Sequence, residues 1–187
     1  MSNKIFFFIQ KRMPPVADIL PVAAVIAALY YGWSLAIYLY KVPGWLAYLR
    51  LSEVIQILAY SFATNLVESL AFLILVLGLN MILPPVCLRD AFNVRGSIFS
   101  MIVIGSGMLF LSRYMTDRYL AAQLGGWTLA VFALALAAAI FLPRIRIVRV
   151  AVDALSDRLI VFLFLLVPLT AISLLYLIVR ALIGSMP

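Results

Sequence analysis

Five long apolar segments, separated by short polar connections, constrain this chain more than any other feature of its sequence. They cover residues 19–40, 54–83, 97–112, 120–142 and 159–183. A helix needs about 20 mostly apolar residues to cross a bilayer, whereas membrane β-strands are about 10 residues long and alternate polar with apolar positions. The sequence therefore predicts an all-α integral membrane protein with five transmembrane helices, in which residues 1–187 form a single polytopic domain.

The overall composition agrees with this class. Hydrophobic residues make up 67% of the chain and charged residues 11%, whereas soluble domains contain about 45–50% and about 25%. The net charge of +7 would suggest a nucleic-acid partner in a soluble protein. Here the basic residues mostly flank apolar segments, where they set topology and meet lipid headgroups. We therefore expect membrane lipids as partners, and no nucleic acid.

The distribution of basic residues predicts how the chain is threaded. Nine Lys or Arg residues fall on the side of the N-terminus and five on the opposite side. The nine are Lys4, Lys11, Arg12, Arg89, Arg95, Arg144, Arg146, Arg149 and Arg158. Tyr and Trp residues such as Tyr38, Trp45 and Trp127 cluster on the opposite side, as in an interfacial aromatic belt. Because cytoplasmic loops carry the excess of Lys and Arg, we predict a protein of the prokaryotic inner (cell) membrane, with its N-terminus in the cytoplasm and its C-terminus outside.

The connection at residues 143–158 predicts an additional short helix. At 100° per residue, Arg146, Arg149 and Asp153 share a polar face, and apolar side chains such as Val148 and Val152 lie opposite. This pattern is typical of a cytoplasmic amphipathic helix, here at residues 145–157, lying in the membrane interface. The helix is either an anchor between two spans or a docking surface for a partner or an anionic lipid.

The connection between the second and third spans carries Arg89, Asp90 and Arg95. Two guanidinium groups beside a membrane can hold a lipid phosphate. The alternative is that both arginines are topology charges, paired with headgroups or with Asp90. Together with Arg146 and Arg149, they are our candidates for contacts with headgroups or with a partner.

The third span is rich in small residues. Ser97, Ser100, Gly105 and Gly107 repeat at intervals that bring them to neighbouring positions on one side of a helix. Small residues allow another helix to approach closely. We therefore predict a helix-packing face, formed either within the chain or with another subunit.

The sequence offers no recognisable chemistry for catalysis or cofactor binding. It contains no histidine and a single cysteine, Cys87, which removes the commonest general base, the ordinary haem ligand and any cysteine-cluster metal site. No phosphate loop or serine-elbow motif is present. We expect no cofactor, no metal site and no catalytic residues.

One carboxylate stands out inside the second span. Glu68 lies near the middle of residues 54–83, and a helix of that length extends about 45 Å, well beyond the roughly 30 Å hydrocarbon core. Ser61, Thr64 and Asn65 precede it by seven, four and three residues, so all four share one face. This stripe, Ser61–Thr64–Asn65–Glu68, is expected to face protein rather than lipid. At that depth the carboxyl group is expected to be neutral, because desolvation disfavours the charged form.

The polar stripe has three interpretations: a hydrogen-bonded structural cluster, a proton or ion pathway, or a contact with a ligand. A different threading is also open. If only residues 66–83 cross the membrane, Glu68 lies at the outer interface and residues 45–64 form a surface helix.

Two classes of function follow from these features. The first is a non-catalytic accessory subunit of a larger integral membrane complex, packing against partner helices and lipids. The alternative is a small transporter or channel component that uses Glu68 as an intramembrane coupling or proton-carrying group. A lipid-modifying enzyme acting at Arg89 and Arg95 is a weaker third class.

Overall fold

The computed structural model describes residues 13–84, 88, 90–114 and 120–184, and over these ranges the chain is helical, without a strand. The helices are α1 (Val16–Trp45), α2 (Leu51–Ile82), α3 (Phe92–Tyr114), α4 (Leu120–Phe141) and α5 (Arg146–Gly184), with a 3₁₀ turn at Leu142–Arg144 before α5. All five are long and apolar enough to cross a membrane. The prediction of an all-α chain with five such helices is confirmed.

The local sequence explains where the first two helices begin and end. Helix α1 follows Pro15, and Asp18 in its first turn complements the positive end of the helix dipole. Helix α2 is capped by Glu53, whose Oε2 accepts a hydrogen bond of 2.8 Å from the backbone N–H of Arg50. It ends at Ile82, just before Pro84. Because α2 is one continuous helix from Leu51, the alternative of a separate surface helix at residues 45–64 is wrong.

Helix α3 begins earlier than the apolar pattern predicts. It starts at Phe92 rather than at residue 97, which makes it about 34 Å long at the usual rise. Its first turn contains Asn93, whose Nδ2 donates a hydrogen bond of 2.8 Å to Asp153 Oδ1 on α5. Polar side chains that find partners on a neighbouring helix therefore extend α3 beyond its apolar segment.

The prediction of a separate amphipathic helix at residues 145–157 is wrong. These residues form the first turns of α5, which runs without a break from Arg146 to Gly184. Val152 and Ser156 are buried, and Val152 packs against Val94 and Ile98 of α3. The sequence between residues 146 and 159 contains no Gly or Pro that would end a helix, so the chain continues directly into the last span.

Helix α1 lies at the centre of the bundle. It contacts α2, α3 and α5, whereas α4 packs mainly on α3, and α2 and α3 have little direct contact. The largest buried cluster joins Val22 and Ile26 of α1 with Val76 of α2 and Phe92 and Phe99 of α3. This cluster fills the bundle toward the end where α3 and α5 begin.

A smaller cluster fixes α1 against α2 and α5. The ring of Tyr31 stacks on Phe62 of α2 at 5.4 Å between centroids. The Tyr31 hydroxyl donates to the Phe62 carbonyl oxygen at 3.2 Å and lies 2.8 Å from Thr170 Oγ1 of α5. One tyrosine therefore joins three helices near the middle of their lengths.

The small residues of α3 contribute unequally to packing. Ser97 and Ser100 are fully buried, and Ser97 Oγ lies 3.3 Å from Ser156 Oγ of α5. A Cβ atom placed on Gly105 or Gly107 would have no neighbour within 4 Å among the described residues, so close packing at these two positions stays a prediction, with another subunit as the remaining alternative. The close approach is at Gly96, where an added Cβ would lie 3.1 Å from Val22 Cγ2.

Candidate functional site

An elongated groove of about 530 Å³ lies between α2 and α3, with α1 as its floor. It forms because both helices pack on α1 but separate from each other toward the end where α1 finishes and α2 begins. Its lining residues are Tyr30, Trp33, Ser34, Ile37, Tyr38, Lys41 and Trp45 of α1, Ile57, Tyr60, Ser61, Thr64, Asn65 and Glu68 of α2, and Met108 and Leu111 of α3.

Helical spacing explains why these residues share one groove. On α1 the lining positions Ser34, Tyr38, Lys41 and Trp45 follow one another at intervals of three or four, which places them on one face. From Tyr30 to Trp45 this face is about 22 Å long at 1.5 Å per residue. The groove is therefore about as long as four turns of helix.

The structure brings all four residues of the predicted polar stripe to this groove. Asn65 is buried, Ser61 is half-buried, and Thr64 and Glu68 are exposed to the groove. Glu68 and Tyr30 both line the groove, Glu68 from α2 and Tyr30 from α1. Glu68 lies about 26 Å along the axis from the first residue of α2, Leu51, and about 21 Å from the last, Ile82, so it marks the deep end of the groove.

Asn65 places an unsatisfied donor in the wall of the groove. The residue is only 6% exposed, yet its side-chain Nδ2 has no hydrogen-bond partner among the described residues. A buried donor without a partner costs about 1–3 kcal/mol. An acceptor brought into the groove would recover this free energy once the Asn65 amide turns toward it, because Nδ2 itself is buried.

Different polar groups mark the two ends of the groove. Glu68 and Tyr30 lie at the deep end, and Lys41 lies near the mouth, about 16 Å further along α1. At the mouth, Tyr38 packs edge-on against Trp45 with ring centroids 5.7 Å apart, and its hydroxyl donates to the Val54 carbonyl oxygen at 3.0 Å. The groove can therefore accept a hydrogen bond at its deep end and offer positive charge at its mouth.

The other candidate residues lie elsewhere. Arg95 and Arg149 line a separate cleft where α3 and α5 begin, and Arg146 is exposed outside that cleft. Arg89 is outside the described residues. Among the described residues, no group of three or more His, Cys, Asp or Glu side chains is placed to hold a metal ion.

Ser34, Tyr38 and Lys41 of the α1 wall are not among the site residues that the sequence predicts. Ser34, Tyr38 and Lys41 lie on one helical face, but that face is interrupted by apolar residues and resembles an ordinary buried side. The repeat of polar or amphipathic residues at positions 30, 34, 38 and 41 is the signal that would have indicated it. Only the pairing of α1 with α2 shows that this face meets the stripe around Glu68.

Comparison with known proteins gives no relative: no family model, no curated protein and no solved structure matches the chain.

Proposed function

We propose that the protein is a non-catalytic subunit of a larger integral membrane complex, and that its polar groove receives a transmembrane helix of a partner. The observation that carries the proposal is the outward-facing polar stripe on a helix of spanning length. Thr64 and Glu68 open into the groove, and Asn65 Nδ2 has no partner among the described residues. Polar and ionisable side chains near the middle of a bilayer cost free energy unless they find a partner, so a partner that covers the stripe is favoured.

The shape of the groove favours a helix as the occupant. It is open along its length and extends over about four turns of helix. The polar groups of its α2 wall repeat at Ser61, Thr64 and Glu68, one for each turn, so a helix lying along the groove meets a polar group at every turn. Helices in membranes associate through close packing and through such interhelical hydrogen bonds.

The groove also specifies the chemistry of the partner helix. Opposite Glu68 it requires a hydrogen-bond donor or a basic group, and opposite Asn65 Nδ2 it requires an acceptor. An Asn, Gln, Ser or Thr side chain supplies these groups in an apolar helix. Lys41 at the mouth favours an acidic group where the partner helix leaves the membrane.

A transporter or channel component that uses Glu68 is the second candidate. The groove volume falls within the range of about 300–1,000 Å³ typical of small-molecule sites, and Glu68 is accessible from it. However, Val22, Ile26, Val76 and Phe99 fill the bundle on the inner side of Glu68. A path through the described residues would require this cluster to separate, and we therefore favour the subunit proposal.

The proposal includes the prokaryotic inner membrane and a cytoplasmic N-terminus, which are supported by the excess of Lys and Arg on that side of the chain. In this orientation the groove opens toward the outer half of the membrane.

Photo-crosslinking in the native membrane tests the proposal. A photoreactive residue at Thr64, inside the groove, is compared with one at Ile55, which is exposed but nine residues away and on the opposite face of α2. We expect Thr64 to crosslink to a transmembrane segment of another polypeptide, mapped by mass spectrometry, and Ile55 to crosslink mainly to lipid. Crosslinks from Thr64 to lipid alone would contradict the proposal.

Substitutions of Glu68 separate the two candidate functions. Glutamine preserves most of the hydrogen bonding of a neutral acid, so Glu68→Gln should keep the complex assembled. Glu68→Leu removes an interhelical hydrogen bond of about 0.6–1.7 kcal/mol and should weaken assembly by about 3- to 20-fold. An assembled but inactive Glu68→Gln complex would favour proton transfer instead.

A further inference from the structure

A second cleft, remote from the groove, brings three arginines together at the opposite end of the bundle. Arg95 comes from the first turns of α3, Arg144 from the 3₁₀ turn and Arg149 from the first turn of α5. The cleft has a volume of about 330 Å³ and is also lined by Asp90 and Pro143. Because three different elements contribute one guanidinium group each, the cluster results from the fold and not from a run of basic residues.

The positive charge of this cleft is only partly balanced by the residues that line it. Its one carboxylate, Asp90, is 3.9 Å from Arg95 Nη1 and is largely exposed. The other carboxylate nearby, Asp153, is hydrogen-bonded to Asn93 and does not line the cleft. Among the described residues that line the cleft, one largely exposed carboxylate therefore accompanies three guanidinium groups.

The helix ends add to this positive potential. Neither α3 nor α5 has an acidic residue in its first turn, so the positive ends of both helix dipoles lack the usual compensation. Arg144 is held in place by the ring of Phe141, with 5.0 Å between the guanidinium carbon and the ring centroid. An anion in the cleft would lie beside the start of α3 and among three guanidinium groups, of which Arg144 packs on Phe141 and Arg95 lies near Asp90.

We propose that this cleft binds a phosphate-bearing anionic group. Guanidinium groups donate paired hydrogen bonds that match phosphate oxygens, and the cleft lies where the helices begin, at the level expected for lipid headgroups. The phosphate belongs either to an anionic lipid or to a soluble molecule on the cytoplasmic side. The proposal is independent of the groove, because the two sites share no residue.

Two probes and matched arginine variants test the proposal in detergent-solubilised protein. Native mass spectrometry counts bound phosphatidylglycerol, with phosphatidylcholine as the zwitterionic comparison of zero net charge, and calorimetry measures binding of inorganic phosphate. Arg144→Gln and Arg149→Gln each remove one exposed arginine of the cleft. Arg146→Gln is the control, because Arg146 lies one turn from Arg149 at the same helix end, outside the cleft.

We expect Arg144→Gln and Arg149→Gln each to lower the affinity about tenfold, the usual effect of losing a charged hydrogen bond. Arg146→Gln should change it about threefold or less, as for an exposed charge. Binding of phosphatidylglycerol alone would identify a lipid headgroup, and binding of inorganic phosphate as well would identify a soluble phosphate ligand. The proposal is overturned if neither probe binds more tightly than phosphatidylcholine, or if Arg146→Gln weakens binding as much as Arg149→Gln.

Discussion

The contact between Gly96 and Val22 allows a sharp test of the helix packing. In Gly96→Ala the new Cβ would lie 3.1 Å from Val22 Cγ2 and 3.3 Å from Val22 Cγ1. Normal carbon–carbon contact begins at about 3.5 Å, so Val22 must move by about 0.4 Å. Val22 is fully buried between Ile26 and Phe92, and its β-branched side chain has few alternative rotamers. Overpacking of this kind costs about 1–3 kcal/mol.

Gly105→Ala is the matched control in the same helix, because its new Cβ meets nothing within 4 Å. Both substitutions gain similar helix propensity, about 1 kcal/mol in water, so this contribution cancels when the two variants are compared. We expect Gly96→Ala to be less stable than Gly105→Ala by about 1–3 kcal/mol.

Unfolding by sodium dodecyl sulfate in mixed micelles, followed by circular dichroism, measures the difference between the two variants. Adding Val22→Ala to Gly96→Ala removes the two methyl groups that the new Cβ meets, so a double-mutant cycle should show a favourable coupling between positions 22 and 96. If Gly96→Ala is as stable as Gly105→Ala and the coupling is zero, α1 and α3 do not pack at this point.

Two further predictions concern polar contacts between helices. Tyr31→Phe removes the hydroxyl that hydrogen-bonds to α2 and α5 and should lower the free energy of unfolding by about 0.5–1.5 kcal/mol in the same assay. Tyr40→Phe is the control, because Tyr40 is exposed, and it should have no measurable effect. Equal decreases in the two variants would contradict the role of Tyr31. A double-mutant cycle of Asn93→Ala and Asp153→Ala should give a coupling of about 1 kcal/mol for their 2.8 Å hydrogen bond, and additive effects would mean that α3 and α5 are not joined there.

The sequence predicts the helices well because each one contains a long, nearly uninterrupted apolar segment. Apolar segments of about 20 residues have few alternative structures in lipid, and each observed helix contains its predicted span, apart from the last residue of the second and fourth spans. The helices extend beyond the spans by up to thirteen residues, at the start of α5. The separate helix at residues 145–157 is the exception. Its amphipathic pattern predicts a separate interfacial helix. The absence of any Gly or Pro between Arg146 and Leu159 instead favours one continuous helix.

The candidate site was predictable only as far as it lies on one helix. Ser61, Thr64, Asn65 and Glu68 share a face of α2 by spacing alone, and the structure places all four in one groove. The opposite wall depends on which face of α1 meets α2, and a sequence pattern does not specify this pairing. For the same reason the sequence favoured Gly105 and Gly107 for close packing, although the face of α3 that meets α1 contains Gly96.

The two sites lie at opposite ends of the bundle, and the predicted orientation would assign each end to one side of the membrane. The cleft of Arg95, Arg144 and Arg149 lies at the end where α3 and α5 begin, which is the end with the excess of basic residues. The groove opens at the other end, beside the Tyr38–Trp45 pair, where interfacial aromatics are expected. Since anionic lipids concentrate at the cytoplasmic surface, an N-terminus in the cytoplasm places the arginine cleft against that surface. The same orientation directs the groove, and the partner helix we propose for it, toward the outer half of the membrane.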